Sequence, residues 1–323
     1  MEQELKAKFD DIYDDIVRDT SFRVKMTRQK LDVYILICGC VLVLFSMLLF
    51  FVEAYRPYWK LALALSCLAT LFLLFSSKQL YAKKYKQILI GSILKYYRPR
   101  AQFDCSKGLS RFDYKNADFG DKFNDYYSED RIADNLESGE RFELCEALVT
   151  EVEKIRHSSK DIEEKRNVKF SGMFGMVTLN KKVRNDVYIN VDSVKHKFDK
   201  DRIEIESAEF ERYFDVLSKD RVAALQIFTT DIFEKILEYK KINHKYFFEL
   251  RIKGNKVYFR LSCGRMFEPP VVGDGIHRDL ILHYFRLIYY PIEILEALVD
   301  NINSYAALAD IPDYEENDPI KNN

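Results

Sequence analysis

Residues 33–52 read VYILICGCVLVLFSMLLFFV and residues 61–77 read LALALSCLATLFLLFSS, and neither run contains Asp, Glu, Lys or Arg. A membrane-spanning α-helix needs about twenty apolar residues to cross the hydrocarbon core. The second run approaches that length when Tyr58 and Trp59 are counted, and only residues 53–60 separate the two runs. The sequence therefore predicts a two-helix transmembrane hairpin over residues 32–78. The alternative, two buried helices of a soluble protein, is disfavoured because neither run has a polar face.

Basic residues flank the predicted hairpin at its outer ends, and such residues concentrate on the cytoplasmic side of membrane spans. The connecting segment holds only Arg56 and Lys60. The basic residues close to the outer ends of the two runs are Arg23, Lys25, Arg28, Lys30, Lys78, Lys83, Lys84, Lys86, Lys95, Arg98 and Arg100. This bias predicts an inner (cytoplasmic) membrane protein with two spans and both termini in the cytoplasm. The predicted membrane-interface residues are Tyr55, Tyr58 and Trp59 on the outer side and Lys83, Lys84 and Lys86 on the inner side.

The composition argues against several classes of protein. A net charge of −1 over 323 residues gives no general attraction to nucleic acid. Three of the six cysteines lie inside the apolar runs, and the sequence contains no Cys-x-x-Cys pair. Neither a disulfide framework nor a zinc ribbon is therefore predicted. We expect a reducing compartment, no metal or other cofactor, and no nucleic-acid partner.

Changes of pattern divide the chain into five segments. They are an N-terminal amphipathic helix (1–31), the transmembrane hairpin (32–78), a helical extension with an irregular connector (79–139), a mixed domain (140–309) and a disordered acidic tail (310–323). The predicted fold class is α+β, in which the two-helix transmembrane hairpin is followed by a cytoplasmic mixed sheet-and-helix domain.

Within the mixed domain, alternating and helical patterns predict individual elements. Strands are predicted over 142–152, 168–179 and 187–191, and helices over 220–241, with a break near 228–230, and over 278–303. Gly254-Asn255 lies between two alternating runs and predicts a β-hairpin. Gly172 and Gly175 indicate a bulge or a close backbone approach within their strand. A polar loop is predicted over 157–167, and a short helix near 129–136 is predicted in the connector that precedes the domain.

No motif for nucleotide binding, serine hydrolysis or zinc proteolysis occurs in the sequence. The candidate site residues are the acidic and imidazole side chains around the start of the last helix: Glu268, Asp274, His277, Asp279 and His283. Their spacings of three and four residues place pairs on one side of a helix, which is a pattern of metal ligands. The structural interpretation is a capping role for Asp274, a rigid Glu-Pro-Pro turn and histidines at the surface. We favour this interpretation and predict no metal.

Two segments carry a resemblance to a known family. Residues 210–220 read FERYFDVLSKD and residues 256–270 read KVYFRLSCGRMFEPP. With looser matches at 172–181 and 126–139, they resemble an uncharacterised family of bacterial membrane proteins, domain-of-unknown-function family 3137. The resemblance implies a membrane anchor joined to a cytoplasmic mixed domain, without assigned catalytic residues. It also implies a LemA-type membrane protein as a partner.

The favoured hypothesis is a membrane-anchored cytoplasmic interaction or scaffold protein. It would contact inner-membrane lipid and bind a protein partner or further copies of itself, because a well-patterned domain accompanies no catalytic motif. One alternative is a membrane-surface enzyme or ligand sensor with a site near residues 268–283. The other is an oligomeric channel or transporter subunit, which the uncharged spans disfavour because they offer no polar ion path. The sequence leans against an enzyme.

Overall fold

The computed structural model describes residues 1–52, 56–156, 162–183, 186–192, 199–242, 247–270 and 276–309. The chain divides into two compact units. The hairpin unit consists of Lys6–Ser106 and Phe267–Phe285, and the sheet unit of Met1–Leu5, Lys107–Met266 and the residues from Arg286 onward. Two long apolar helices precede an antiparallel sheet with helices, which confirms the predicted α+β class.

Two long helices dominate the hairpin unit. Helix α1 (Glu2–Phe51) and helix α2 (Trp59–Tyr97) are joined through a turn of 3₁₀ helix at Arg56–Tyr58. They run antiparallel, because the end of α2 contacts the first half of α1 and the start of α2 contacts the end of α1. Lys95 Nζ lies 2.6 Å from Asp19 Oδ2, and the rings of Phe50 and Trp59 are 5.6 Å apart. The predicted helical hairpin is confirmed, and the predicted N-terminal helix is continuous with the first apolar run.

The apolar runs of α1 and α2 are exposed. The most hydrophobic window of α1 is 11% buried and that of α2 is 6% buried, and both helices are long and apolar enough to span a membrane. A core helix of a soluble protein has the same hydrophobicity but is covered by other parts of the protein. The exposed apolar side chains include Leu44, Phe45, Leu71 and Phe72. Such a surface is typical of a segment that is covered by lipid.

Outside the apolar runs, α1 and α2 form a stem with its own core. Buried side chains along it include Phe9, Ile16, Val24, Leu89 and Ile93. The 50 residues of α1 correspond to about 75 Å, more than twice the ~30 Å thickness of a hydrocarbon core. The stem therefore extends well beyond the apolar runs. A short strand, β1 (Gln102–Asp104), follows it.

The sheet unit is built mainly from eight strands. They are β2 (Asp125–Asn135), β3 (Arg141–Arg156), β4 (Ile162–Thr178), β5 (Val187–Val191), β6 (Arg202–Ile203), β7 (Phe214–Ser218), β8 (Phe248–Lys253) and β9 (Lys256–Leu261). Their order in the sheet is β2-β3-β4-β9-β8-β5-β7-β6, with antiparallel neighbours throughout. The helices are α3 (Arg111–Ala117), α4 (Ala208–Glu211), α5 (Arg221–Ile227), α6 (Thr230–Ile242) and α7 (Arg278–Ala309), whose first residues belong to the hairpin unit.

The two faces of the sheet differ in chemistry. Successive side chains of a strand point to opposite faces. Leu250, Ile252, Val257, Phe259 and Leu261 lie on one face, which we call the apolar face. Glu249, Arg251, Tyr258 and Arg260 lie on the other, which we call the charged face. Helix α3 packs on the charged face through Tyr114, whose ring lies 5.0 Å from that of Phe174 on β4.

Several predicted elements are confirmed. The β8–β9 hairpin turns at Gly254-Asn255, and Gly254 has φ +59°, which a glycine adopts without strain. The helix predicted over 220–241 is broken at 228–229 into α5 and α6. The close backbone approach at Gly172 is also present, because a Cβ there would lie 2.1 Å from the Leu261 carbonyl oxygen.

Two local predictions are wrong. Residues 129–136 were expected to form a helix, but Asp125–Asn135 form strand β2, which extends the sheet beyond the predicted boundary at residue 140. The reason is a bulge between Glu129 and Ile132, with Asp130 at φ +58°, that interrupts the alternation of the strand. The polar loop expected over 157–167 is shorter, because β4 already begins at Ile162.

Candidate functional site

Glu268 of the predicted site lies in the Glu-Pro-Pro turn of the hairpin unit. Its Oε1 is 2.9 Å from Lys86 Nζ, and the Lys86 side chain is only 4% exposed. Lys86 is thus a buried, paired ammonium rather than an exposed one, and its predicted position at the membrane interface stays a prediction. The Tyr284 hydroxyl donates to the Glu268 carbonyl oxygen. Burial raises the pKa of Tyr284 to about 12, so this donor keeps its proton at neutral pH.

Glu268 also borders a cavity of about 380 Å³, which we call the hairpin-base cavity. The other lining residues are Arg28, Leu31, Asp32, Ser77, Lys78, Tyr81, Ala82, Pro269 and Pro270. Leu31 and Asp32 directly precede the first apolar run, and Ser77 and Lys78 lie at the end of the second. The cavity is therefore located where both apolar runs meet the stem.

The remaining site candidates do not converge on this cavity. His277 and Asp279 are exposed at the start of α7, and His283 is half-buried with its ring 5.9 Å from that of Tyr284. Asp274 lies outside the described residues. Among the described ranges, His277, Asp279 and His283 are not brought together with the spacing that a shared metal ion requires. The structure therefore gives Glu268 a structural partner and leaves the two histidines apart from it.

The predicted outer-interface aromatics lie at the turn between the two helices. Tyr58 is exposed, and Trp59 makes an edge-to-face contact with Phe50. Tyr55 lies outside the described residues. Lys83 and Lys84 are exposed on the stem. The contact of these residues with lipid stays a prediction.

A buried ionic network occupies the charged face of the sheet unit. Arg260 on β9 forms ion pairs with Asp121 and Glu249, and its Nη1 donates to the Tyr114 hydroxyl oxygen at 2.8 Å. The Tyr114 hydroxyl in turn donates to Asp121 Oδ2 at 2.7 Å. Burial opposes the charge of Arg260, but the neighbouring carboxylates outweigh it and raise the pKa. The network ties the segment after α3 to the middle of the sheet.

A second buried arginine lies next to this network. Arg251 donates from Nη1 to the carbonyl oxygens of Ile189 and Leu250, at 3.1 and 2.9 Å, and from Nη2 to Asn190 Oδ1. Its guanidinium lies 5.0 Å from the centroids of both Phe119 and Tyr188. Burial lowers its pKa. Carbonyl, amide and aromatic groups thus replace water around this cation.

Two thiols of the sheet unit, the buried Cys145 and the half-buried Cys263, are not suited to nucleophilic catalysis. Burial raises the pKa of both Cys145 and Cys263 to about 12. A thiol with such a pKa is almost entirely protonated at neutral pH, and the thiolate is the nucleophilic form. Cys145, which is fully buried, therefore acts as a small core residue.

Sequence reasoning missed the partners of the buried charges. The Lys86–Glu268 and Asp121–Arg260 pairs each join residues that are far apart in the sequence. No spacing rule connects such residues. A usable signal was the position of Arg251 and Arg260 between apolar residues of the predicted hairpin strands, because arginine is rarely buried without a partner.

One protein-family model matches a defined part of the fold. Residues 168–299 match the family model DUF3137, described as a protein of unknown function. The match confirms the predicted resemblance to family 3137. The DUF3137 segment begins within β4 and ends within α7, so it includes both arginines of the charged face and the Glu-Pro-Pro turn. No curated protein and no solved structure matches the chain.

The Lys86–Glu268 pair leads to a test of the structural role of Glu268. Lys86→Met and Glu268→Gln are each expected to lower the free energy of unfolding by about 1–3 kcal/mol, because each leaves a charged partner without its counterpart. The loss of unfolding free energy in the double variant is expected to be smaller than the sum of the two single losses. A double-mutant cycle followed by denaturant unfolding measures this difference. Lys83→Met is the exposed control and should change stability by less than about 0.5 kcal/mol. Additive losses would contradict the pairing.

Proposed function

We propose that the protein is a membrane-anchored interaction protein. The hairpin crosses the inner (cytoplasmic) membrane twice, both termini are cytoplasmic, and the sheet unit docks a protein partner at the membrane surface. The observation that carries this proposal is the exposure of the two apolar runs, whose most hydrophobic windows are 11% and 6% buried. The excess of basic residues on both outer flanks supports the orientation.

The sheet unit offers a docking surface on three neighbouring strands. Tyr127, Leu148 and Val168 are 55%, 38% and 61% exposed. Tyr127 pairs with Leu148, and Val168 pairs with Thr150, two residues along the strand from Leu148. The bulge in β4 brings Val168 to the side on which Tyr127 and Leu148 lie. We call these three residues the apolar patch. Contiguous apolar exposure of this kind marks interaction surfaces.

Beyond the apolar patch, β3 and β4 continue as a two-stranded arm. Its register runs from Glu151↔Asn167 to Arg156↔Ile162. Among the described residues, β2 pairs with β3 only up to Thr150, and β9 pairs with β4 only from Met173. On the β3 edge the Asn124 side chain already binds the N–H and carbonyl groups of Val152. Beyond Val152, and along the β4 edge, backbone donors and acceptors are open to pairing with a partner strand.

The partner that fits this surface is a polypeptide with an apolar face and a free strand edge. A second copy of this chain and a LemA-type membrane protein are the two candidates. The former is supported by the open edges of the arm, and the latter by the family resemblance. Either would share the membrane with this chain.

Photo-crosslinking from the apolar patch tests this proposal. A photoreactive phenylalanine analogue at Tyr127 of the full-length protein in its native membrane is expected to give a discrete protein adduct. The matched control carries the same analogue at Phe112, which is more exposed than Tyr127 but lies on α3, at the charged face. Adducts from Tyr127 alone support the proposal.

The mass of the adduct distinguishes the two candidates. Twice the mass of the chain indicates self-association, and a different mass indicates a heterologous partner. Equal labelling from both positions, or no adduct from Tyr127, contradicts docking at the apolar patch. Val168→Ser and Leu148→Ser should reduce the adduct at least about threefold, because they remove buried apolar area from the interface.

A further inference from the structure

The hairpin-base cavity has the position and chemistry of a lipid site. Its lining residues Leu31 and Asp32 precede the first apolar run, and Ser77 and Lys78 close the second. If the hairpin spans the bilayer, as proposed above, this cavity lies at the depth of the phospholipid headgroups. Apolar side chains continue directly from its mouth, since Val33, Tyr34, Leu74 and Phe75 are all exposed.

The lining of the hairpin-base cavity includes two cationic side chains. Arg28 and Lys78 are cationic, and Asp32 and Glu268 are anionic. The charge of Glu268 is balanced by Lys86, which lies 2.9 Å away. Arginine and lysine are the side chains that proteins use for phosphate, through charge-assisted hydrogen bonds.

The walls of the cavity fit a headgroup attached to acyl chains. Tyr81, Ala82, Pro269 and Pro270 supply apolar surface next to the two cations. Its volume of about 380 Å³ lies in the range of small-ligand sites. The Glu-Pro-Pro turn forms one wall. Its position is fixed by the Lys86–Glu268 pair and by the Tyr284 hydrogen bond to the Glu268 carbonyl.

We propose that the hairpin-base cavity binds the phosphate of a phospholipid headgroup through Arg28 and Lys78, with the acyl chains lying along the exposed apolar runs. This proposal rests on the proposed membrane anchoring. It gives the Glu-Pro-Pro turn a role that its sequence alone does not indicate: the turn closes a lipid site at the base of the hairpin.

Native mass spectrometry of the full-length protein in mild detergent tests the site. Phosphatidylglycerol is titrated, and diacylglycerol with the same chains serves as the ligand without phosphate. The Arg28→Gln/Lys78→Gln variant is expected to bind phosphatidylglycerol about tenfold more weakly, because two charge-assisted contacts are lost. The matched control is Arg23→Gln/Lys25→Gln, which removes the same two residue types from exposed positions outside the cavity. This control should bind within about twofold of the parent.

A second variant distinguishes binding inside the cavity from nonspecific attraction to positive charge. Ala82→Phe fills the cavity without changing any charge and is expected to weaken phosphatidylglycerol binding about tenfold as well. Equal weakening by the Arg23/Lys25 control, unchanged binding by Ala82→Phe, or equally tight diacylglycerol binding overturns the proposal. Competition by millimolar inorganic phosphate would identify a free-phosphate site instead and also overturn it. Alkaline extraction of the same variants from membranes shows separately whether the anchoring itself has failed.

Discussion

Replacing Arg260 by methionine is expected to lower the free energy of unfolding by about 3–5 kcal/mol, the typical cost of removing one partner from a buried ionic network. Arg260 neutralises both Asp121 and Glu249, and none of the three side chains is more than 16% exposed. Its loss leaves two carboxylates in a poorly hydrated site. Urea unfolding followed by circular dichroism provides the measurement.

Two controls separate this network from surface charge. Lys253→Met removes a cation from the same face that is paired with Asp118 at 3.8 Å and is 29% exposed, and it should cost less than about 1 kcal/mol. Adding Asp121→Asn and Glu249→Gln to Arg260→Met should recover part of the loss, since no uncompensated charge then remains. If Arg260→Met alone stays within about 1 kcal/mol of the parent, the ionic network is not what holds α3 to the sheet.

Placing arginine in the centre of both apolar runs is expected to prevent stable membrane insertion. Leu44→Arg and Leu71→Arg substitute exposed positions near the middle of the two runs. Each arginine costs about 2.5–3.5 kcal/mol at the centre of a span. The double variant should lose most of its protein from the carbonate-resistant membrane fraction, measured by immunoblotting of fractionated cells.

Leu80→Arg is the matched control for these substitutions. Leu80 is exposed on the same helix α2, but it lies beyond the end of the second run, in the stem. Its replacement should leave membrane extraction unchanged. Resistance of the Leu44→Arg/Leu71→Arg variant to carbonate would contradict the assignment of the two runs as spans.

The hairpin and the β8–β9 turn were predictable because their signals are local. Uncharged runs of span length and a Gly-Asn pair between alternating residues each specify structure over a few tens of residues at most. The same holds for α7 and for the break between α5 and α6, where Asp220 caps α5 by accepting from Ala223 N at 2.9 Å.

The charged face and strand β2 depend on information that no short window contains. Arg260 reaches Asp121 across 139 positions of the chain, and only the assembled sheet brings them together. The bulge after Glu129 removes the alternation by which strands are recognised. For the candidate site, the sequence singled out Glu268 and Lys86 separately, and their pairing required the fold of the hairpin unit.

The most direct test of membrane crossing by the hairpin measures on which side of the membrane the hairpin turn lies. Single cysteines are introduced as Tyr58→Cys at the turn, Phe22→Cys on α1 and Lys83→Cys on α2, all at exposed positions of a chain whose native cysteines are replaced. Sealed inverted inner-membrane vesicles are treated with a membrane-impermeant maleimide. We expect labelling at the Phe22 and Lys83 positions and protection at the Tyr58 position until the vesicles are opened. Labelling of all three positions in sealed vesicles would contradict a hairpin that crosses the membrane.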